Sequence, residues 1–222
     1  CIYPLYKADK TRLKFLLDIS TSCLFTVPSR FHPVPESFLT KEDKYDEDNM
    51  MKTHISTNTI ENMKAVIPVN MKGDIDKYFD EKFENCFCEF DVYEVLGDKL
   101  YRFLKFIVKN NRFDMTSINN RYNGIEGKNQ LYEIRYPDSI ERQFKDSIVV
   151  YHGSGHHNYH SILRNGLKNM SGTKYMSHGA AMGSGIYLAK TVDLPAQYAD
   201  GKKIIAVCFL KNSSKYEKGN NV

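Results

Sequence analysis

The sequence predicts an α+β fold on three observations. Helical periodicity fills the middle of the chain, strand-like apolar runs fall in its second half, and the helices between those runs are too short for the crossovers of a doubly wound sheet. The 222 residues leave room for one large domain, or for a compact domain with a smaller attachment. With 41% hydrophobic and 26% charged residues the composition is that of an ordinary globular protein and singles out no function. The 31 basic and 27 acidic residues are interspersed, so no basic stripe for a phosphate backbone emerges and nucleic acid is not indicated as a partner. The longest apolar runs, near Phe15–Leu17 and Ile204–Leu210, fall far short of the ~20 residues that span a bilayer, which leaves no membrane segment in this chain. Five cysteines at irregular spacing read as reduced thiols of an intracellular, cytoplasmic protein. A chain that opens on Cys1 and closes in a polar tail at Val222 reads as a piece of a longer protein.

Residues 1–40 hold one short apolar segment, Leu13–Leu17, before Pro28, Pro33 and Pro35, which forbid a continuing helix. A small attachment of irregular structure is expected there. Lys41 to about Ala65 is dense in charge, Asn and Thr and has little to bury, so it reads as a mobile linker. Residues 1–68 are therefore taken together as an N-terminal attachment and charged linker. From Asp74 to about Leu96, Ile75, Tyr78, Phe79, Phe83, Cys86, Phe87 and Phe90 recur at three- and four-residue intervals, predicting one amphipathic helix that Asp74 caps. Gly97-Asp98 ends it, and Leu100, Phe103, Leu104, Ile107 and Val108 repeat the pattern in a second helix, Lys99–Asn111. The aromatic stripe reads as packing surface, and residues 69–128 as a helical module.

Asn119–Lys128 has the composition of a loop, and Leu131–Tyr136 reads as a short strand stopped by Pro137-Asp138. Asp138 and Glu141 match a capping box that starts a short helix closing near Lys145. The apolar run Ile148–Tyr151 is a strand ending in His152-Gly153-Ser154. Asn158 caps a helix carrying Ile162 and Leu163, and Asn165-Gly166 terminates it. A glycine-bearing loop, Gly179 to Gly185, opens onto the strand-like Ile186–Ala189. A helical turn around Ala196–Ala199 and a strand Lys203–Leu210, rich in β-branched and aromatic residues, complete the order.

Two strand ends, each carrying a ring beside a glycine, describe a cleft for a planar heterocycle that touches the backbone. Zinc is the first rival, because His152, His156, His157 and His160 fall close together. His156 and His160 stand at helix spacing, but no Glu completes HExxH and Asn158 breaks the helix inside the pair. Cys86 and Cys88 lack a second pair of matching spacing. His156, His157 and His160 read as surface residues of a loop and helix start, and no metal is expected. Gly179, Gly183 and Gly185 precede a strand, whereas a dinucleotide fingerprint follows one. Ser154 has no nucleophile elbow around it, and Cys208 lies inside a strand where thiols are usually inert.

The order His-Gly-Ser, then N-x-x-S-I-L-x-N-G-L, then G-x-G-I-Y-L-A and a second tyrosine eleven residues past the first, strongly resembles the catalytic domain of the poly(ADP-ribose) polymerase family. HGAAMGSGIYL and SILRNGL resemble a divergent branch that transfers single ADP-ribose units, and LYRFLKFIVKNNR resembles the helix that precedes the domain there. The likeness runs over about residues 97–210 and is tightest from 151 to 199. It implies the ADP-ribosyltransferase fold, with split mixed or antiparallel sheets and short helices, in a domain 129–222 that is incomplete at its C-terminus. It further implies NAD⁺ as co-substrate and protein acceptors, the protein itself among them. His152 and Tyr187 would be catalytic: His152 would bond a hydroxyl of the nicotinamide ribose. Gly153 would clamp the carboxamide by its backbone, Ser154 would touch the adenosine side, and Tyr187 and Tyr198 would sandwich the nicotinamide ring. The family's glutamate on a later strand, which assists chain elongation, would lie past Val222. Two departures stand out: Pro195 where the family places a hydrogen-bonding serine, and Ser184 where the branch commonly has lysine. Pro195 keeps a rival reading open, a catalytically degenerate module that holds NAD⁺, ADP-ribose or a protein partner.

Overall fold

The computed structural model describes residues 1–44, 54–109, 113–118, 130–136, 147–173, 176, 183–200 and 204–211. Two compact units divide it: Cys1–Asn111 with His157–Arg164, and Arg112–His156 with Asn165–Val222. The boundaries near residues 68 and 128 that composition suggests do not coincide with this division.

The first unit is helical. Its helices are α1 (Ile2–Ala8), α2 (Lys10–Thr26), α3 (Thr57–Ala65), α4 (Val69–Gly73), α5 (Ile75–Phe83), α6 (Glu89–Leu96) and α7 (Asp98–Lys109), joined by most of α8 (Tyr159–Asn165). Helix α2 is the centre, lying against α1, α3, α5 and α7. Leu13, Leu16, Leu17, Ile19 and Leu24 of α2 are buried with Phe79, Phe83, Phe103, Leu104 and Ile107. The irregular N-terminal attachment expected for residues 1–40 is corrected: α2 runs for 17 residues from an Asp9 cap whose carboxylate accepts from Arg12 N at 2.9 Å. The prolines act only after Thr26, so they set where the helix stops and do not prevent it.

The mobile linker is also corrected where residues are described. Ser56 caps α3, and Thr59 and Met63 of that helix are buried. Asp43 ties the preceding segment to it, accepting from Ser56 N at 2.6 Å and Thr59 Oγ1 at 2.5 Å. Burial pushes the Asp43 carboxyl up, but the bonds from Thr59, Ser56 and Thr40 outweigh it and hold the group down to about 2. The single helix expected from Asp74 to Leu96 is two. Asp74 does cap α5 through Lys77 N, but the Asp91 carboxylate captures Phe87 N and Cys88 N and starts α6 afresh. That break turns Phe87 and Phe90 outward, to 81% and 65% exposure, while Phe79 and Phe83 stay inside. Gly97, at φ +74°, makes the expected turn into α7.

The second unit carries two antiparallel strand pairs. In one, β1 (Asp114–Ile118) meets β2 (Leu131–Arg135) with Met115 opposite Ile134. In the other, β3 (Ser147–Gly153) meets β4 (Ile205–Lys211) with Val150 opposite Cys208 and Gly153 opposite Ile205. The short β1 was not anticipated: Met115 is its single inward apolar residue, too little for an alternation to register. Ile186–Ala189 is not a full strand, since Ala189 alone pairs, with Tyr151. Helix α9 (Asp193–Tyr198) rests on β3. The loop 119–128, the Asp138–Lys145 helix with its capping box, and Gly179 lie outside the described residues. Helices with small antiparallel sheets make the fold α+β, as expected. Among the described residues no helix is long and apolar enough to cross a membrane.

Candidate active site

The site is built at the end of β3. Alternate residues of a strand turn their backbone groups to opposite edges. Tyr151 exchanges both of its backbone bonds with Ala189, at 2.7 and 3.0 Å, on the edge away from β4. Two residues further, the N–H and C=O of Gly153 face that same edge, where no turn or side-chain hydrogen bond among the described residues engages them. The intervening His152 reaches across to the neighbouring segment, its Nδ1 lying 3.0 Å from the carbonyl oxygen of Tyr187. A carbonyl only accepts, so Nδ1 carries a proton, and in the neutral form of the ring the lone pair is on Nε2. The Tyr187 hydroxyl donates to the Gly183 carbonyl at 2.6 Å, which fixes its ring from the other end.

Gly153 is glycine for a packing reason. A Cβ there would sit 1.8 Å from the Pro195 carbonyl oxygen and 2.6 Å from its carbon, both immovable backbone atoms of α9. Pro195 occupies the first turn of that helix, where a missing N–H costs nothing, and its carbonyl accepts from Ala199 N at 3.1 Å. The same helix ends in Tyr198. The strand end therefore sets the position of α9, and α9 carries the second tyrosine. Tyr187 and Tyr198 are 38% and 45% exposed, which leaves ring surface for a planar ligand. Ser154 follows Gly153 directly in the chain, beyond the end of β3. The strand end thus brings together a glycine whose place a Cβ could not take, two partly exposed tyrosines and an imidazole held through its Nδ1.

The histidines do not behave as one group. His156 is held by Asp200, whose carboxylate accepts from His156 N at 2.9 Å and lies 3.3 Å from Nδ1. No spacing rule links residues 44 apart, so this pair was missed. His160 corrects the surface assignment: it is fully buried in the helical unit, stacked on Phe31 at 4.0 Å, with Nδ1 2.7 Å from Ser20 Oγ. Burial, with Arg164 and His32 adding to it, pushes its pKa well below the ordinary range. The zinc pairing of His156 with His160 therefore loses His160 as a ligand. Burial raises the Cys208 thiol to about 11, in keeping with the inert role expected for it.

Comparison with known proteins converges on the same stretch. Residues 106–212 match the family model described as the poly(ADP-ribose) polymerase catalytic domain. The protein mono-ADP-ribosyltransferase PARP8 of Mus musculus is 29% identical over 126 residues, covering 53% of this chain and 15% of that protein. The protein of the same name from Homo sapiens matches with the same identity and coverage. The chain thus corresponds to a small part of each relative's length. On its motifs, its fold and these matches, the segment 106–212 is similar to the poly(ADP-ribose) polymerase catalytic domain, and the relatives that share this stretch carry the name protein mono-ADP-ribosyltransferase.

Proposed function

We propose that this chain carries the donor site of an NAD⁺-dependent protein mono-ADP-ribosyltransferase, with His152, Gly153, Ser154, Tyr187 and Tyr198 binding NAD⁺. The observation that carries this reading is the His152–Tyr187 bond at the end of β3, which joins the two motif residues and fixes the imidazole tautomer. His152 Nε2 accepts from a ribose hydroxyl and orients the sugar. The Gly153 N–H and C=O hold the carboxamide, and a ligand without that amide would leave both unpaired. The phenol faces attract the cationic nicotinamide ring.

Cleavage breaks the bond between nicotinamide nitrogen and ribose C1′. The bonding pair leaves with nicotinamide, which becomes neutral, and positive charge grows on the sugar as in glycoside hydrolysis. An acceptor side chain of a protein, this protein included, attacks C1′ from the opposite face and loses its proton, so one ADP-ribose is transferred. Holding that geometry and excluding water is the task of the pocket. Purified full-length protein with labelled NAD⁺ is expected to give a discrete labelled band, lost in His152→Ala and in Tyr187→Ala; labelling that survives both removes these residues from the mechanism.

Pro195 favours a second reading, a module that binds NAD⁺ or ADP-ribose, or a protein partner, without turnover, because proline supplies no donor to the carboxamide oxygen. Calorimetric binding of NAD⁺ with no release of nicotinamide would select it.

A further inference from the structure

Among the described residues the segment that carries Tyr187 makes a backbone bridge to β3 at Ala189 alone, yet its earlier part is tethered too. The tether is Ser171. Its hydroxyl accepts from Gly185 N at 3.0 Å and lies 3.4 Å from Gly185 O, to which it donates. One side chain thus satisfies both backbone groups of Gly185, as a paired strand residue would. Asn169 braces the arrangement: its Oδ1 accepts from Ser171 N at 3.0 Å, and its Nδ2 donates to Ser184 Oγ at 3.1 Å. Along residues 183, 185, 187 and 189 every second residue is then held. Gly183 O takes the Tyr187 hydroxyl, Gly185 is bracketed by Ser171, Tyr187 O takes His152 Nδ1, and Ala189 pairs with Tyr151. That two-residue period is the period of extended backbone. Where the strand ladder ends, a serine hydroxyl continues it.

We propose that Ser171, braced by Asn169, is a positioning residue of the NAD⁺ site: it fixes the backbone at Gly185 and through it the Tyr187 carbonyl that sets the tautomer and direction of His152. The proposal rests on the reading of His152 and Tyr187 as donor-site residues. Ser171 touches neither NAD⁺ nor the reacting atoms in this scheme, and its effect passes through Tyr187. Side chains that orient the groups touching a ligand matter because misplacement by about 1 Å can cost up to ~100-fold in rate.

The test uses the full chain with Ser171→Ala, Ser171→Thr and Asn169→Ala. Kinetics with NAD⁺ are measured alongside the ¹⁵N imidazole spectrum, in which His152 is assigned by its absence in His152→Gln. In the unaltered protein His152 should show the Nδ1–H tautomer. Ser171→Ala should lower kcat/KM about tenfold and convert the His152 signal to a tautomer mixture, Ser171→Thr should restore both, and Asn169→Ala should shift both in the same direction by less. A Ser171→Ala protein with unchanged kcat/KM and an unchanged His152 signal overturns the proposal. So does equal loss in the Ala and Thr variants, and so does loss of cooperative unfolding in Ser171→Ala, which would make the hydroxyl part of the fold alone. If the unaltered protein neither binds nor consumes NAD⁺, the proposed function fails, while the His152 tautomer comparison still decides the role of Ser171.

Discussion

Gly153 faces backbone on the side where a Cβ would grow, and backbone cannot rotate away. Gly153→Ala therefore has to push α9, and with it Tyr198, off the end of β3. Forced overpacking of this kind costs ~1–3 kcal/mol, and the displaced ring should weaken NAD⁺ binding at least tenfold. Calorimetry and urea unfolding of this variant check the two effects together; wild-type affinity would mean that α9 yields without moving Tyr198. This pressure on Gly153 was partly legible, because His-Gly-Ser marks the strand end, but the neighbour responsible was not. Pro195 drew notice for the donor it lacks, whereas the structure uses the carbonyl it keeps. Asn169 and Ser171 left no mark in the sequence at all: a serine and an asparagine in a glycine-containing loop look like solvent-facing turn residues, and their partners lie fourteen or fifteen residues away.

At the scale of elements, α8 shows what a motif conceals. SILRNGL reads as a helix carrying Ile162 and Leu163, with no role assigned to Arg164. In the structure Arg164 is buried, and burial lowers its pKa to about 10, so it remains charged at neutral pH. Its guanidinium donates to Ile107 O at 3.0 Å and to His160 O at 2.9 Å. Ile107 lies in the last turn of α7, whose final carbonyls have no partners within the helix, so Arg164 is a cap supplied from elsewhere in the chain. Replacing a buried ion by an apolar side chain is often harmless when its partner leaves with it. Here the partners are two backbone carbonyls and the His160 Nδ1, 3.2 Å from the guanidinium, and all of them stay behind. Arg164→Met, which keeps the aliphatic stem, should therefore cost about 2 kcal/mol in urea unfolding. The start of α5, helix α7, β2 and β3 were readable, because each has an apolar pattern and a cap, a glycine or a proline at one end. Helix α2 was obscured by the prolines beyond it, and the α5–α6 break by aromatics that kept the helical period across it. The feature that decides this break is Asp91 three residues after Cys88, a capping signal masked by the stronger apolar pattern.

For the whole molecule, a set of hydrogen-bonded carboxylates and one buried histidine set how stability responds to acid, and two windows separate. The carboxyls of Asp43, Asp80 and Glu89 are held below their ordinary range. Groups of that kind stabilise the fold above their unfolded pKa, about 4, and lose the contribution as pH falls through the folded value. His160 works higher up. It is an uncharged base in the fold, facing the Arg164 guanidinium and the His32 ring, and its pKa is pushed well below 6.5. Below pH 6.5 the unfolded chain binds a proton at this position and the folded chain does not, so unfolding gains up to about 1.4 kcal/mol for each further pH unit. The stability is complete above 6.5 and declines as pH falls, before any carboxylate contributes. Unfolding free energies from urea titrations at pH 7.5, 6.5 and 5.5 should fall by about 1 kcal/mol over the last step, and His160→Gln, which has no proton to take up, should remove that slope while lowering stability at every pH. A wild-type midpoint that does not change between pH 6.5 and 5.5 would mean that the Ser20–His160–Arg164 cluster opens and hydrates before the fold does, since a solvated imidazole titrates alike in both states.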